Sequence, residues 1–277
     1  MRSTPAWTDS LGHSAAALAA SFRTGLAGAF AAWPILLGRA LFYGVLLLVI
    51  VALWDKVASA RLAGTLATQL PAQGLATYVG VTEWITLSVT AIQLKLEDDI
   101  RLGGLEPHLL RPKSYIAQTI AQAMGGMSAR LITLGVAAII MLAFSGRAWP
   151  PPMAFVYVPV LGFLGATVGV LIYALVGLTA FWVRKVLPFL LIVQKLMFIL
   201  GGLFAPIALY PPWLRHLSEV TPFAAHLAFA GAQVLRPSGD AFWPALAWEA
   251  FWLAALSLAI ALTWRAGLAK VLKKGVV

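Results

Sequence analysis

The sequence predicts an all-α membrane protein, and its composition, its apolar segments and its tryptophan content each support that fold class. Of the 277 residues, 61% are hydrophobic and 11% are charged, whereas soluble domains average about 45–50% apolar and roughly a quarter charged residues. Eleven tryptophans are present, and indole rings favour the membrane interface. Apolar runs near the ~20 residues that cross a bilayer as a helix cover 35–54, 75–94, 122–145, 155–183, 187–208 and 241–264.

Residues 1–34 precede the first of these runs and contain a second kind of pattern. Apolar side chains recur every three or four positions from Leu11 to Phe30, with polar residues such as His13 and Arg23 among them. This spacing predicts an amphipathic interfacial helix on the membrane surface, ending near Pro34 where the chain must turn. A frayed N-terminal segment is the alternative.

The charge pattern orients the predicted domain, 35–265, in the membrane. Six spans place both termini on one side, and the distribution of lysine and arginine decides which side that is. Thirteen lie on the side of the termini, which carries the loop 95–118 and the basic tail 266–277, and five lie on the other. Both termini are therefore expected in the cytoplasm. The net charge of +10 then favours anionic lipid as a partner and not nucleic acid, because no basic stripe with interleaved aromatic residues occurs.

The loop 95–118 is the longest strongly polar stretch between apolar runs. It begins with acids, continues with a glycine pair and ends in Leu-Leu-Arg-Pro. Ile100, Leu102, Leu105 and Leu109 fall near helical spacing, which predicts a short amphipathic helix able to dock into a groove of another protein. The adjacent acids Asp98 and Asp99 fit a helix start or a docking role better than a metal site.

Glycine and proline interrupt the chain after the fifth run, at 200–226. Gly201 and Gly202 weaken a helix, Pro206 breaks it, and Pro211 stops it again. A new short helix is expected from Pro212, because proline suits the first helical turn. A broken apolar segment on the outer side is expected to re-enter the membrane and to line or close a passage. An ordinary interfacial loop is the alternative.

Motifs of catalysis and nucleotide binding do not occur in the sequence. No G-x-x-x-x-G-K-[ST], H-E-x-x-H or G-x-S-x-G is found, the four histidines lack metal-ligand spacing, and there is no cysteine. We therefore expect neither a catalytic residue nor a bound metal or cofactor. The glycines of the fourth run (Gly162, Gly165, Gly169 and Gly177) are interpreted as sites of close helix packing.

Four charged residues fall inside the predicted spans, where burial of a charge is expensive. Arg130 is expected to extend toward the cytoplasmic interface. Glu83 and Glu249 are expected near the outer and interfacial levels. Lys195 lies deeper and is expected to face a cavity or to pair with one of the two glutamates.

Two of these stretches carry a resemblance to a known family. The cytoplasmic loop has the pattern G-x-L-x-x-x-L-L-R-P at Gly103, Leu105, Leu109, Leu110, Arg111 and Pro112. The outer segment has the pattern G…P…P-x-x-L…P at Gly202, Pro206, Pro211, Pro212, Trp213, Leu214 and Pro222. Over nearly the whole chain the sequence resembles the membrane subunit of ABC-2-type ABC transporters, in the permease branch often described as uncharacterised.

The resemblance implies a surface helix, six spans, a coupling helix in the loop after span two, and a re-entrant hairpin between spans five and six. Coupling to the ATPase subunit would then use Glu97, Asp98, Asp99, Arg101, Gly103, Leu105, Glu106, Leu109, Arg111 and Pro112. The outer gate would use Gly201, Gly202, Phe204, Pro206, Pro211, Pro212, Trp213 and Pro222. Polar or aromatic groups in spans need a reason, and on that ground the candidate translocation path is Trp84, Gln93, Gln194, Lys195 and Phe198.

The implied function is export of an amphipathic, drug-like or lipid-like solute by alternating access in a bacterial cytoplasmic membrane. The implied partners are two ATP-binding subunits, which hold ATP and Mg²⁺, and a second copy of the permease or a related permease. Two alternatives remain. A secondary transporter would use an ion gradient and a pair of broken helices, and a lipid-modifying membrane enzyme would need clustered acids or histidines at an interface.

Overall fold

The structure, a computed structural model, describes residues 6–59, 72–105, 114–146 and 148–273. Within these residues it contains α-helices and short 3₁₀-helices and no β-strand, which confirms the all-α class. The α-helices are α1 Ala6–Ala31, α2 Trp33–Ser59, α3 Ala72–Ser88, α4 Ile92–Arg101, α5 Tyr115–Phe144, α6 Ala154–Leu178, α7 Leu187–Leu200, α8 Pro212–Glu219, α9 Pro222–His226, α10 Ala228–Leu235 and α11 Gly239–Lys273.

Five helical segments of the described residues are long and apolar enough to cross a membrane. They are Trp33–Lys56, Gly74–Arg101, Tyr115–Phe144, Ala154–Phe181 and Gly239–Val271, and they correspond to five of the six predicted spans. The remaining prediction, 187–208, overlaps α7, whose 14 residues fall short of the ~20 that a bilayer requires. The helix stops early because Gly202 adopts φ +70°, a left-handed conformation that ends helices. The count of six spans is not confirmed.

The helix boundaries differ from the predicted ones in two places. α5 begins at Tyr115, inside the predicted loop 95–118, because Ser114 accepts a hydrogen bond from the Ala117 amide at the first turn and caps the helix. α11 continues to Lys273, so most of the predicted tail 266–277 extends the last helix.

The N-terminal helix is confirmed, and its contacts run along α5. Gly25 lies against Gln122 and Gly125 lies against Phe22, so closely that a Cβ at either glycine would collide with backbone of the other helix. This pairing makes the two helices antiparallel. Small residues recur every four positions on α1, at Ala17, Ser21, Gly25 and Ala29, and such spacing permits close backbone approach. Placement of α1 on the membrane surface stays a prediction.

Helix α6 lies at the centre of the fold and is buried along most of its length. Its glycines provide the space for its neighbours, as predicted. A Cβ at Gly162 would meet Trp84 of α3, and one at Gly177 would meet Leu96 of α4. On another side, Tyr157 stacks on Phe242 at a centroid distance of 4.4 Å, and α11 follows α6 in parallel from there. The core of the protein therefore forms around α6.

Candidate functional site

The predicted coupling region begins with α4, a short helix with one buried face. Ile92, Gln93 and Leu96 are buried, whereas Leu94 is half exposed. Leu96 lies against Gly177 of α6. The predicted helix of Ile100 to Leu109 differs from the structure, because α4 ends at Arg101 and the chain turns at 102–105.

Two acidic side chains of α4 form hydrogen bonds at the starts of two other helices. The Glu97 carboxylate accepts a hydrogen bond from the Val186 amide at 3.2 Å, just before α7, and pairs with Arg101 at 3.3 Å. The Asp99 carboxylate accepts a hydrogen bond from the Tyr115 hydroxyl at the start of α5 and pairs with Lys95 at 3.0 Å. Only Asp98, of the three predicted docking acids, is exposed to solvent.

The turn after α4 separates two leucines that the sequence placed on one docking face. Leu105 is 5% exposed and belongs to the main core, whereas Leu102 is 81% exposed. Gly103 supplies φ +78°, a left-handed value that glycine adopts without steric cost, and so reverses the chain between the two leucines. The predicted coupling residues Glu106, Leu109, Leu110, Arg111 and Pro112 lie outside the described residues.

The second predicted span is interrupted between α3 and α4, at Val89–Ala91, with neither glycine nor proline present. Carbonyl groups that lose their helical partners there accept hydrogen bonds from arginines of other helices. Arg130 Nη1 donates to the Val89 oxygen at 2.8 Å, and Arg39 Nη1 donates to the Leu87 oxygen at 3.5 Å. The sequence analysis did not predict this break. Arg130 could have indicated it, because a charged side chain in an apolar run needs a partner inside the protein.

A second interruption follows α7, where glycine and proline predicted it. The backbone at Gly202 and Leu203 is buried, and its oxygens accept hydrogen bonds from hydroxyl groups of α3. The Tyr78 hydroxyl donates to the Gly202 oxygen at 2.7 Å, and the Thr82 hydroxyl donates to the Leu203 oxygen at 2.8 Å. Buried irregular backbone is thus satisfied from within the protein.

The far end of the outer segment contacts α6 through a buried histidine. His226 is 1% exposed, and its Nδ1–H donates to the Gly165 oxygen at 2.7 Å. Gly165 and Gly169 leave the space that the histidine occupies. Its Nε2 has no hydrogen-bond partner in the described part of the chain. The histidine therefore attaches the segment 200–226 to α6 through a single hydrogen bond.

Pro212 begins a helix, as its position predicted, and the other prolines of the segment 200–226 also lie at or just before the starts of helices. Pro211 is the N-cap of α8, Pro212 starts α8 and Pro222 starts α9. Pro206 precedes the 3₁₀-helix Ile207–Leu209. Phe204 and Trp213 are 60% and 69% exposed, so the predicted gate contains both buried backbone and exposed aromatic rings.

The predicted path residues fall into separate groups. Lys195 is exposed and lies 5.6 Å from the Phe198 ring centroid, and Phe198 meets Phe204 edge-on at 6.1 Å. Gln194 is half-buried on the same helix. By contrast, the Trp84 indole donates to the Leu131 oxygen at 2.8 Å, away from α7.

Gln93 of α4 is the other predicted path residue that the structure places away from α7. It is 3% exposed, and its side-chain oxygen has no partner in the described part of the chain. The structure therefore brings only the residues of α7 and its continuation close to one another.

The two glutamates expected near the interfaces are buried, which corrects that expectation. Glu83 is 9% exposed and Glu249 is 0% exposed. Glu249 lies ten residues into α11, about 15 Å from its start, too far for its short side chain to reach the end of the helix. Lys195 forms no ion pair with either glutamate within the residues described.

Long apolar helices around a buried central helix define a multi-pass membrane protein. The family model of the ABC-2 family transporter protein matches residues 73–275, and the chain belongs to this family. Its members are membrane subunits of ABC transporters, which generally work with an ATP-binding subunit. The resemblance inferred from the two short patterns is thereby confirmed. Comparison with curated proteins finds no match.

Proposed function

We propose that the chain is the membrane subunit of an ATP-driven exporter that moves an amphipathic, drug-like or lipid-like solute outward. The observation that carries this proposal is the attachment of the cytoplasmic turn to several helices at once. Leu96 packs on α6, Glu97 holds the start of α7, and Asp99 holds the start of α5. A displacement of the turn by a partner would therefore reach α5, α6 and α7 together.

The direct partner would be an ATP-binding subunit docked on the exposed surface of the turn. Asp98, Arg101 and Leu102 are exposed there, and they combine both charges with an apolar side chain that the described residues leave 81% exposed. Two such subunits would carry ATP and Mg²⁺. A second copy of this chain, or a related permease, would complete the path.

Alternating access would link the turn to the outer segment through α7. Glu97 holds the amide that precedes α7, and α7 ends in the buried backbone at Gly201 to Leu203. We propose that the segment 200–226 re-enters the membrane and acts as the outer gate, because irregular backbone at membrane depth must be buried in protein or beside water. ATP binding would then shift the population between two packed arrangements.

The proposed location is the cytoplasmic membrane of a bacterium, with both termini inside the cell. The excess of lysine and arginine on that side supports this orientation. Anionic lipids would surround the basic residues there.

Co-purification with the ATP-binding subunit and ATP-dependent flux in vesicles test the proposal. Leu102→Asp places a charge on the exposed turn and is expected to abolish both. Leu217→Asp is the matched control, because Leu217 is also an exposed leucine (45%) but lies on α8 in the outer segment; it is expected to preserve co-purification. Flux that continues without ATP on an ion gradient would contradict the proposal and favour a secondary transporter.

A further inference from the structure

Arg39 of α2 and Arg130 of α5 converge on the interruption between α3 and α4. Their guanidinium groups donate to carbonyl oxygens only two residues apart, at Leu87 and Val89, and the two charges repel each other. Both side chains belong to residues that are neither fully buried nor fully exposed. The Thr90 hydroxyl is turned to a third helix, where it donates to the Ala123 oxygen at 3.2 Å.

Within the described residues, no carboxylate forms an ion pair with Arg39 or Arg130. Glu83 lies one helical turn before Leu87, but it forms no ion pair with either arginine within the described residues. The C-terminus of α3 contributes only about −0.5 of a charge, so the two arginines retain a positive surplus even when Glu83 is ionised.

The pair also has unused hydrogen-bond donors. A guanidinium carries five N–H groups in a planar fork, and the structure uses one nitrogen of each arginine on backbone. Two such forks side by side match the oxygens of a phosphate group. Val89 lies five residues before the end of the predicted span 75–94, so the pair is expected close to the cytoplasmic lipid headgroups, where an anion attached to an apolar body can reach it.

We propose that Arg39 and Arg130 form a binding site for the phosphate group of an anionic amphiphile, at the interruption in the second span. Two kinds of molecule would supply such a phosphate group: a phospholipid that stays bound to the protein, or the transported solute itself. The second source rests on the export function proposed above, whereas the first does not.

The test uses the full chain in complex with its ATP-binding subunit, in detergent. Native mass spectrometry counts bound phosphatidylglycerol and phosphatidylcholine of equal chain length, supplied together. Wild type is expected to prefer phosphatidylglycerol. The double variant Arg39→Gln, Arg130→Gln is expected to lower that preference about tenfold, because two charge-assisted contacts are lost. Arg215→Gln removes an arginine from the outer segment and is expected to leave the preference unchanged.

A single variant keeps the test valid if loss of the Val89 contact unfolds the double variant. Arg39 reaches its carbonyl only at 3.5 Å, so Arg39→Gln is expected to fold normally. Its preference for phosphatidylglycerol is still expected to fall about threefold, because one of the two guanidinium groups that bind the phosphate is lost. Equal binding of the two lipids by wild type, or an unchanged preference in Arg39→Gln and the double variant, overturns the site.

The source is decided by adding ATP to the complex. Phosphatidylglycerol that stays bound during turnover identifies a resident lipid. Release upon turnover in wild type, absent when ATP hydrolysis is blocked, identifies the transported class. Either result supports the phosphate site. Failure of the export proposal would give a different result, in which ATP-dependent flux is absent and the lipid preference is intact.

Discussion

The apolar helices are interrupted after Ser88 and after Leu200, and different chemical groups bind the freed backbone oxygens at the two places. Each interruption frees backbone oxygens inside the protein. The first is satisfied by charged guanidinium groups from two other helices, and the second by the neutral hydroxyls of Tyr78 and Thr82. A neutral partner leaves no surplus charge, whereas an arginine adds one. The first interruption therefore carries the positive charge that the proposed anion site requires, and the second does not.

The largest expected effect is on the second interruption, from Gly202→Ala. The substitution forces a Cβ onto φ +70° and places it 2.8 Å from Tyr78 and Ile207 atoms. We expect a loss of about 3 kcal/mol of stability, from backbone strain and overpacking together. Thermal unfolding in detergent measures it.

Gly146→Ala is the matched control for that prediction. Gly146 has a similar φ of +66°, but nothing lies within 4 Å of its Cβ position. The expected loss is about 1 kcal/mol, from backbone conformation alone. Equal losses at the two glycines would show that packing around Gly202 contributes nothing.

Arg130→Met is expected to cost about 2 kcal/mol, because the Val89 oxygen loses a charge-assisted partner. Anionic detergent or lipid is expected to stabilise wild type more than this variant, since only wild type keeps the full positive charge. Unfolding midpoints measured with and without phosphatidylglycerol check both statements. The same stabilisation in both proteins would contradict the distinction drawn between the two interruptions.

Tyr78→Phe tests the neutral partner and is expected to cost about 1–2 kcal/mol, because a buried acceptor is left unsatisfied. Its unfolding midpoint is expected to respond to phosphatidylglycerol as wild type does. A weaker response would mean that the second interruption also senses charge.

Arg39→Gln is expected to have the smallest effect on stability, below about 0.5 kcal/mol, because its contact at 3.5 Å lies at the limit of a hydrogen bond. The variant separates binding from folding. An unfolding midpoint close to that of wild type, in lipid-free detergent, is the expected measurement.

The two interruptions also differ in how far the sequence predicted them. Gly201, Gly202 and Pro206 predicted the second one, and α8 begins at Pro212 as expected. The sequence around Val89 reads as an ordinary span, because β-branched and apolar residues fit both an intact helix and a broken one. In the turn after α4, periodicity placed Leu102 and Leu105 on one docking face. The φ of +78° at Gly103 instead sends Leu105 into the core and leaves Leu102 outside.

The sequence by itself determined the all-α membrane class, five of the spans, the family and the start of α8 at Pro212. These depend on local properties: hydropathy over about 20 residues, charge between apolar runs, and the fixed φ of proline. The tertiary structure alone decided which acids of α4 bind other helices, where the second span breaks and that Glu249 is buried. Those outcomes depend on partners distant in the chain, such as Val186 for Glu97 and Arg130 for Val89, and one-dimensional patterns do not record which helices meet.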